Sequence, residues 1–172
     1  MKASTFWKTV VADKSEFLDR VIALLTENGI RYAVIGGQGV NAYADPVVSL
    51  DLDIAVALDQ INVAERLLAE HFKVERFPHS LNVTEVDSDL RLQVQTDERY
   101  PPFVERAEAR AVLGKVLSVA AIEDVLQGKV WAASDPTRRS SKRLKDLSDI
   151  ARIIEVRPDL IDRVPDEIKQ RL

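Results

Sequence analysis

The stretch Tyr32 to Val56, YAVIGGQGVNAYADPVVSLDLDIAV, constrains this chain more than any other, through Gly36-Gly37 near one end and Asp51-Leu52-Asp53 near the other. Tyr32 to Ile35 is a short apolar run with β-branched residues that stops at the glycine pair, and Leu50 to Val56 alternates with aspartate, so the pattern predicts two strands flanking a turn and a short helix. Residues two apart in a strand share a face. Asp51 and Asp53 therefore present two carboxylates side by side, with Leu50, Leu52, Ile54 and Val56 on the buried opposite face. Two carboxylates that close repel each other unless a cation lies between them, and Mg²⁺ or Mn²⁺, held by one or two carboxylates plus phosphate oxygens, meets that need. Gly36 and Gly37 let the backbone turn sharply and bring N–H groups near a phosphate at the start of the next helix. Phosphate cradle and metal carboxylates are thus expected in one cleft.

The remaining composition narrows the chemistry. With no cysteine and only His71 and His79, thiolate sites, disulfides and a histidine-rich zinc site are set aside, which leaves an oxygen-ligated cation. At 172 residues and 46% hydrophobic content, a single domain over residues 1–172 is expected, divided into an α/β core at about 14–117 and a helical part at about 118–172. Neither an apolar run of membrane-spanning length nor a leader pattern at Met1 to Val10 is present, so a cytoplasmic protein without membrane insertion is expected. The net charge of −4 does not suit a general nucleic-acid binder. Arg138, Arg139, Lys142, Arg143 and Lys145, however, fall within eight residues, a patch suited to a triphosphate or an RNA backbone.

Gly36-Gly37, a connector of thirteen residues from Gln38 to Leu50, and then Asp51-x-Asp53 resemble the signature of the nucleotidyltransferase fold. Downstream, Lys145-Asp146-Leu147-Ser148-Asp149 resembles the Lys-Asp-x-x-Asp motif of the AbiEii/AbiGii-type toxin nucleotidyltransferases. The resemblance covers roughly Glu16 to Glu155. It implies an α+β fold, a mixed β-sheet flanked by helices with a C-terminal helical extension. It further implies transfer of a nucleoside monophosphate from an NTP to an acceptor hydroxyl. Asp51 and Asp53 would hold Mg²⁺ or Mn²⁺, Gly36, Gly37 and Gln38 would meet the nucleotide phosphates, and Lys129 or Lys145 would neutralise developing charge. Asp146 would complete the catalytic set. A tRNA or other RNA end is one acceptor the family implies, with an antitoxin as partner; a small-molecule hydroxyl is the other. Two positions depart from the family pattern. Gln93 stands where a third carboxylate is usual, with Asp89 and Asp97 as nearby acids, and Val47 stands where many relatives carry arginine. Both favour the alternative reading, a catalytically weak or inactive module that binds nucleotide, RNA or a protein.

Taken in order, the pattern predicts a helix over Lys14 to Gly29 capped by Ser15, a connector helix over Gln38 to Tyr43, and a helix capped by Asp59 and running to about His71. Phe72 to Val74, Ser80 to Val86 and Leu90 to Gln95 read as strands, the last with Leu90, Leu92 and Val94 on one face and Arg91, Gln93 and Gln95 on the other. Tyr100 reads as a core or rim aromatic without aromatic company. Phe103 to Arg110 reads as a short helix, Ala111 to Leu117 as one strand interrupted by Gly114, and Ala120 to Ala133 as a helix with Lys129 near its polar side. Arg138 to Ile154 reads as a basic loop running into a helix whose buried stripe is Leu144, Leu147, Ile150, Ile153 and Ile154. Lys142 with Asp146 and Lys145 with Asp149 are expected as pairs along it. Val156 to Leu172 reads as a helix-turn-helix tail around Pro158 and Pro165.

Overall fold

The computed structural model describes residues 16–172. Seven strands form one mixed sheet: β1 (Tyr32–Ile35), β2 (Asp51–Val56), β3 (Lys73–Phe77), β4 (Ser80–Thr84), β5 (Arg91–Gln95), β6 (Glu108–Val112) and β7 (Lys115–Val119), in the spatial order β3-β4-β5-β2-β1-β7-β6. β2 runs antiparallel to β1 and parallel to β5, β1 runs parallel to β7, and β3 and β6 are the edges. The helices are α1 (residues 16–27), α2 (Gly36–Asn41), α3 (Ile61–His71), α4 (Pro102–Glu105), α5 (Ile122–Ser134), α6 (Ser140–Val156) and α7 (Asp166–Lys169). The architecture is the expected α+β one, a mixed sheet flanked by helices. Among the described residues no helix is long and apolar enough to cross a membrane.

Strand alternation sorts the side chains into two layers. On one face Leu52, Ile54, Leu92 and Val94 pack with Phe17, Leu18, Val21 and Leu25 of α1 and with Ala64 and Leu68 of α3. On the other face Ala33, Ile35 and Ala55 pack with Val40 of α2, Val125 and Leu126 of α5 and Ile150 and Ile153 of α6. Asp51 and Asp53 belong to this second face. They point under the α2, α5 and α6 layer, and Ala55, two residues further along the strand, is fully covered.

Several elements differ from the sequence pattern. α2 starts at Gly36 rather than Gln38, so the glycines form its first turn instead of preceding it. Asp59 caps nothing; it sits in a 3₁₀ turn, Leu58–Gln60, and pairs with Arg31 at 3.2 Å, while α3 begins at Ile61. Lys14 and Ser15 lie outside the described residues. Leu50 precedes β2 and is exposed. The segment read as one interrupted strand is a hairpin, β6 to β7, because Leu113 and Gly114 both take positive φ (53° and 74°) and form the two-residue turn that matches strand twist. A leucine in the left-handed region is uncommon, so the turn had no local signal. The helix expected from Phe103 is α4, four residues long, and Glu108 to Arg110 are strand. The tail is a 3₁₀ segment, Pro158–Arg163, followed by α7; Leu160, Val164 and Ile168 are buried against α5 and α6.

The largest revision concerns α6. Leu144 is 65% exposed, whereas Asp146 and Asp149 are buried together with Leu147, Ile150 and Ile153. The apolar stripe is therefore displaced around the helix, and two carboxylates lie within the interface with α5. Neither expected pair along the helix forms, since both acids turn inward to Lys129 of α5, Asp146 taking Arg138 as well and Asp149 taking Arg152 of its own helix. Ile150, fully buried between these charges and the sheet, carries the packing of α6. Ile150→Ala is expected to cost about 2–5 kcal/mol in urea denaturation, the range for truncating a well-packed core aliphatic.

Candidate active site

A cleft opens where β2 and β5 emerge beneath α5 and α6, and most of the residues singled out from the sequence line it. Gly36, Gly37, Asp51, Asp53, Gln93, Lys129, Lys145 and Asp146 all reach it. Gln38 does not: its side chain is buried, donating to the Ser49 carbonyl and accepting from Asn41. Val47 is exposed on the connector, its backbone bracketed by Asn41 at 2.8 and 3.0 Å. Asp89 is exposed, and Asp97 lines a neighbouring hollow where it is bound by Arg99 at 2.8 Å. Neither acid reaches the cleft.

The floor is a two-by-two arrangement set by register. On the parallel pair β2 and β5, Asp51 lies opposite Arg91 and Asp53 opposite Gln93. Gln93 thus occupies the position beside the carboxylates that the alternation of β5 assigned to it. Asp51 Oδ1 accepts a hydrogen bond from Arg91 Nε at 3.0 Å and lies 2.8 Å from Nη2 as an ion pair. Asp53 lies deeper, and burial, opposed by the charge of Lys129, raises its pKa from an ordinary 3.8 to about 6. Antiparallel pairing places Ile35 against Asp53, so Gly36 abuts its carboxylate. A Cβ on Gly36 would lie 2.3 Å from Asp53 Oδ2, and the residue holds φ at +64°, so only glycine fits. Gly37 differs: a Cβ there would meet only Lys145 Nζ, at 4.0 Å, and would project into the cleft.

The helical wall is built on Lys129. Its Nζ lies 3.1 Å from Asp146 and 2.8 Å from Asp149, all three side chains being almost wholly buried. Burial works against its charge, but the two aspartates outweigh it and hold its pKa above the ordinary lysine value. Arg138 completes the shell of Asp146 at 2.9 and 3.2 Å. Arg152 binds Asp149 at 2.8 Å and extends to Asn41 Oδ1 and the Asp45 carbonyl, tying α6 to the connector that carries β2. Of the five clustered cations, then, Arg138 is spent on Asp146 and Arg143 donates to the carbonyls of Asp135 and Arg138. Arg139, Lys142 and Lys145 remain exposed and form no ion pair with a described residue.

The cleft holds about 160 Å³ and adjoins the hollow of about 500 Å³ beside Asp97, sharing Gln93, Gln95, Tyr100, Ala132 and Arg138 with it. Tyr100 is not alone there. It packs edge-on to Phe103 and Trp131 at 5.5 Å each, and Arg99 lies over the Trp131 ring at 4.7 Å. Trp131 falls on the turn of α5 that follows Lys129, a partnership that only the folded chain reveals.

No family model matches the chain, and none of the curated proteins is similar to it. Solved structures do match. The crystal structure of ANT(2'')-Ia in complex with adenylyl-2''-tobramycin aligns with a TM-score of 0.62 over 91% of this chain and 97% of that one, at 14% identity. An antigenic nucleotidyltransferase-like protein from Paracoccidioides brasiliensis aligns with a TM-score of 0.51 over 99% of this chain and 86% of that one, at 15% identity. The fold is that of the nucleotidyltransferases. Within this nucleotidyltransferase fold, the glycine turn and the two aspartates sit at one mouth of the sheet.

Three outcomes test this geometry. Gly36→Ala should destabilise the chain by about 2 kcal/mol or more through strain at positive φ and the clash with Asp53, read as a lowered melting midpoint. Lys129→Met should cost about 3 kcal/mol, because Asp146 and Asp149 stay buried with one partner fewer. The third outcome follows from Asp53, whose pKa is raised on folding. The folded state therefore keeps its proton while the unfolded chain loses it, and stability falls as pH rises from about 4 to 6. Asp53→Asn should remove this loss. Its stability relative to wild type, from denaturant titrations, should climb across that window by up to about 3 kcal/mol.

Proposed function

We propose that the chain is a Mg²⁺- or Mn²⁺-dependent nucleotidyltransferase that moves a nucleoside monophosphate from an NTP to an acceptor hydroxyl, releasing pyrophosphate. The observation that carries the reading is the pair Asp51 and Asp53, side by side on β2 and pressed against the Gly36 turn, in a cleft ringed by Lys129, Lys142 and Lys145. The donor set fits a hard divalent cation: two carboxylates and a neutral amide supply oxygen only, and phosphate oxygens would complete the shell. Among the described residues, no cluster of three or more histidine or acidic side chains stands ready to hold a metal alone. The cation would be held jointly by the two aspartates and the nucleotide phosphates. Bound there, it would neutralise phosphate charge and polarise the phosphoryl group.

The chain's own groups position the substrate. Gly37 leaves room for phosphate close to the backbone, exposed Lys145 and Lys142 face the leaving pyrophosphate, and Lys129 supplies a fixed positive field that cannot swing because two aspartates clamp it. Asp146, wholly buried and bonded to Lys129 and Arg138, acts as a positioning residue rather than as the general base. The Lys145-Asp146 and Asp149 motif supports the AbiEii-type toxin reading, with an RNA or tRNA end as acceptor and an antitoxin protein as partner. Exposed Arg139 and Lys142 would then meet the RNA backbone. The ANT(2'')-Ia complex, with its adenylylated tobramycin, supports a small-molecule hydroxyl as acceptor instead.

The second reading, a weak or inactive nucleotide-binding module, is favoured by Gln93 opposite Asp53. Label transfer from each radiolabelled NTP, with total tRNA and with an aminoglycoside panel as acceptors, decides between them. Transfer that vanishes in Asp51→Asn/Asp53→Asn supports the enzyme. Nucleotide binding without transfer to either acceptor class supports the module. Gln93→Asp should tighten Mg²⁺ binding by about tenfold in calorimetry, because it places a third anionic oxygen beside Asp53. An unchanged affinity would remove Gln93 from the metal shell.

A further inference from the structure

Arg91 has no part in the function just described, yet it is the residue in contact with Asp51. β5, the strand that would complete a carboxylate cluster, brings a cation to Asp51 and an amide to Asp53. Arg91 Nη2 and Nε both lie on one oxygen, Asp51 Oδ1, at 2.8 and 3.0 Å, instead of forking across the two oxygens. The side chains of the pair are 41% and 28% exposed. An ion pair of that exposure and without a fork is weak and easily exchanged. A divalent cation on the Asp51 carboxylate would lie beside the guanidinium, and like charges at that range repel. Phosphate oxygens, by contrast, offer the guanidinium a planar two-point partner that Asp51 does not give it here. Lys142 and Lys145 face the same cleft from α6, so a polyphosphate there would lie between cations of both walls.

We propose that Arg91 makes the metal site conditional on a polyphosphate. Without one, the guanidinium holds Asp51 and keeps free metal out; when a triphosphate enters, Arg91 passes to its phosphate oxygens and releases Asp51 to the cation that arrives with it. No bond is made or broken in this exchange, only ion pairs. Metal alone then binds poorly, and metal with phosphate binds well. Arg91 is a positioning residue in this scheme, and its substitution moves the two affinities in opposite directions.

The inference rests on Asp51 and Asp53 being the metal carboxylates, and the experiment separates the two claims. Mn²⁺ binding is followed by electron paramagnetic resonance, and binding of the Mg²⁺ complex of inorganic tripolyphosphate by calorimetry, on the full chain and its variants. Arg91→Met should bind Mn²⁺ alone about tenfold more tightly than wild type, from loss of an adjacent positive charge. Adding Asp51→Asn to Arg91→Met should cancel that gain. Arg91→Met should also bind Mg²⁺ tripolyphosphate several-fold more weakly. A Mn²⁺ affinity within about twofold of wild type overturns the proposal, and so does tighter tripolyphosphate binding, which would make Arg91 a simple competitor. Arg91→Lys, which keeps the charge without the planar fork, provides a second arm should the methionine variant fail to melt cooperatively. It should retain the weak Mn²⁺ binding and lose tripolyphosphate affinity, and a gain in Mn²⁺ affinity overturns the proposal. If Asp51→Asn/Asp53→Asn binds both probes as wild type does, the metal-site assignment itself fails.

Discussion

The charge of Lys129, buried between Asp146 and Asp149, is the interaction on which the arrangement of this chain depends. It joins α5 to α6 at the level where both cross the sheet, and Arg138 and Arg152 extend it to the loop before α6 and to the connector before β2. A buried lysine with one aspartate would strain against its own desolvation; with two, plus two arginines on the outer oxygens, each charge is met. Replacing such a cluster with apolar side chains could pack as well, but would not fix a positive field over Asp53. The network therefore trades packing for a defined electrostatic environment at the mouth of β2.

Strand alternation supplies the second half of the site. The same period that sends Leu52 and Ile54 into the α1 and α3 layer sends Asp51 and Asp53 beneath α5 and α6. Asp51 is open enough to hold Arg91, whereas Ala55 on the same face is wholly covered. Burial raises the pKa of the Asp53 carboxyl to about 6. Gly36 fixes the depth of that group, because no side chain fits between the turn and the carboxylate.

Local features of the sequence were the legible ones. β1 follows from a short apolar run that stops at the glycine pair, β2 and β5 follow from apolar alternation, and Gln93 falls on the carboxylate face as the period of two requires. What stayed hidden is nonlocal. Arg91 meets Asp51 across forty residues, and Asp146 and Asp149 share Lys129 on α5, with Arg138 of the preceding loop on Asp146 and Arg152 on Asp149, so the i,i+4 spacing along α6 suggested the wrong pairs. Leu144 misled for a related reason: its helical phase suits a stripe centred on the leucines, but buried ion pairs rotate α6 away from it. The hairpin at Leu113-Gly114 was hidden by a leucine at positive φ, a residue whose identity argues against that conformation. Of the two rings that Tyr100 packs on, Phe103 is three residues along the chain, but Trp131 comes from α5 and spacing gave no sign of it.

The two rims of the sheet bear on how the protein behaves in a crowded solution. Among the described residues, β3 and β6 each leave one row of backbone N–H and C=O groups without a neighbouring strand, the kind of border on which a second polypeptide can extend a sheet. Lys73, Glu75 and Arg76 stand exposed on one rim, Glu108 and Arg110 on the other. An intruding strand would have to strip water from these charges before its own hydrogen bonds formed. Both borders are thus guarded against uncontrolled sheet growth by charge, at no cost to the strands that carry the cleft.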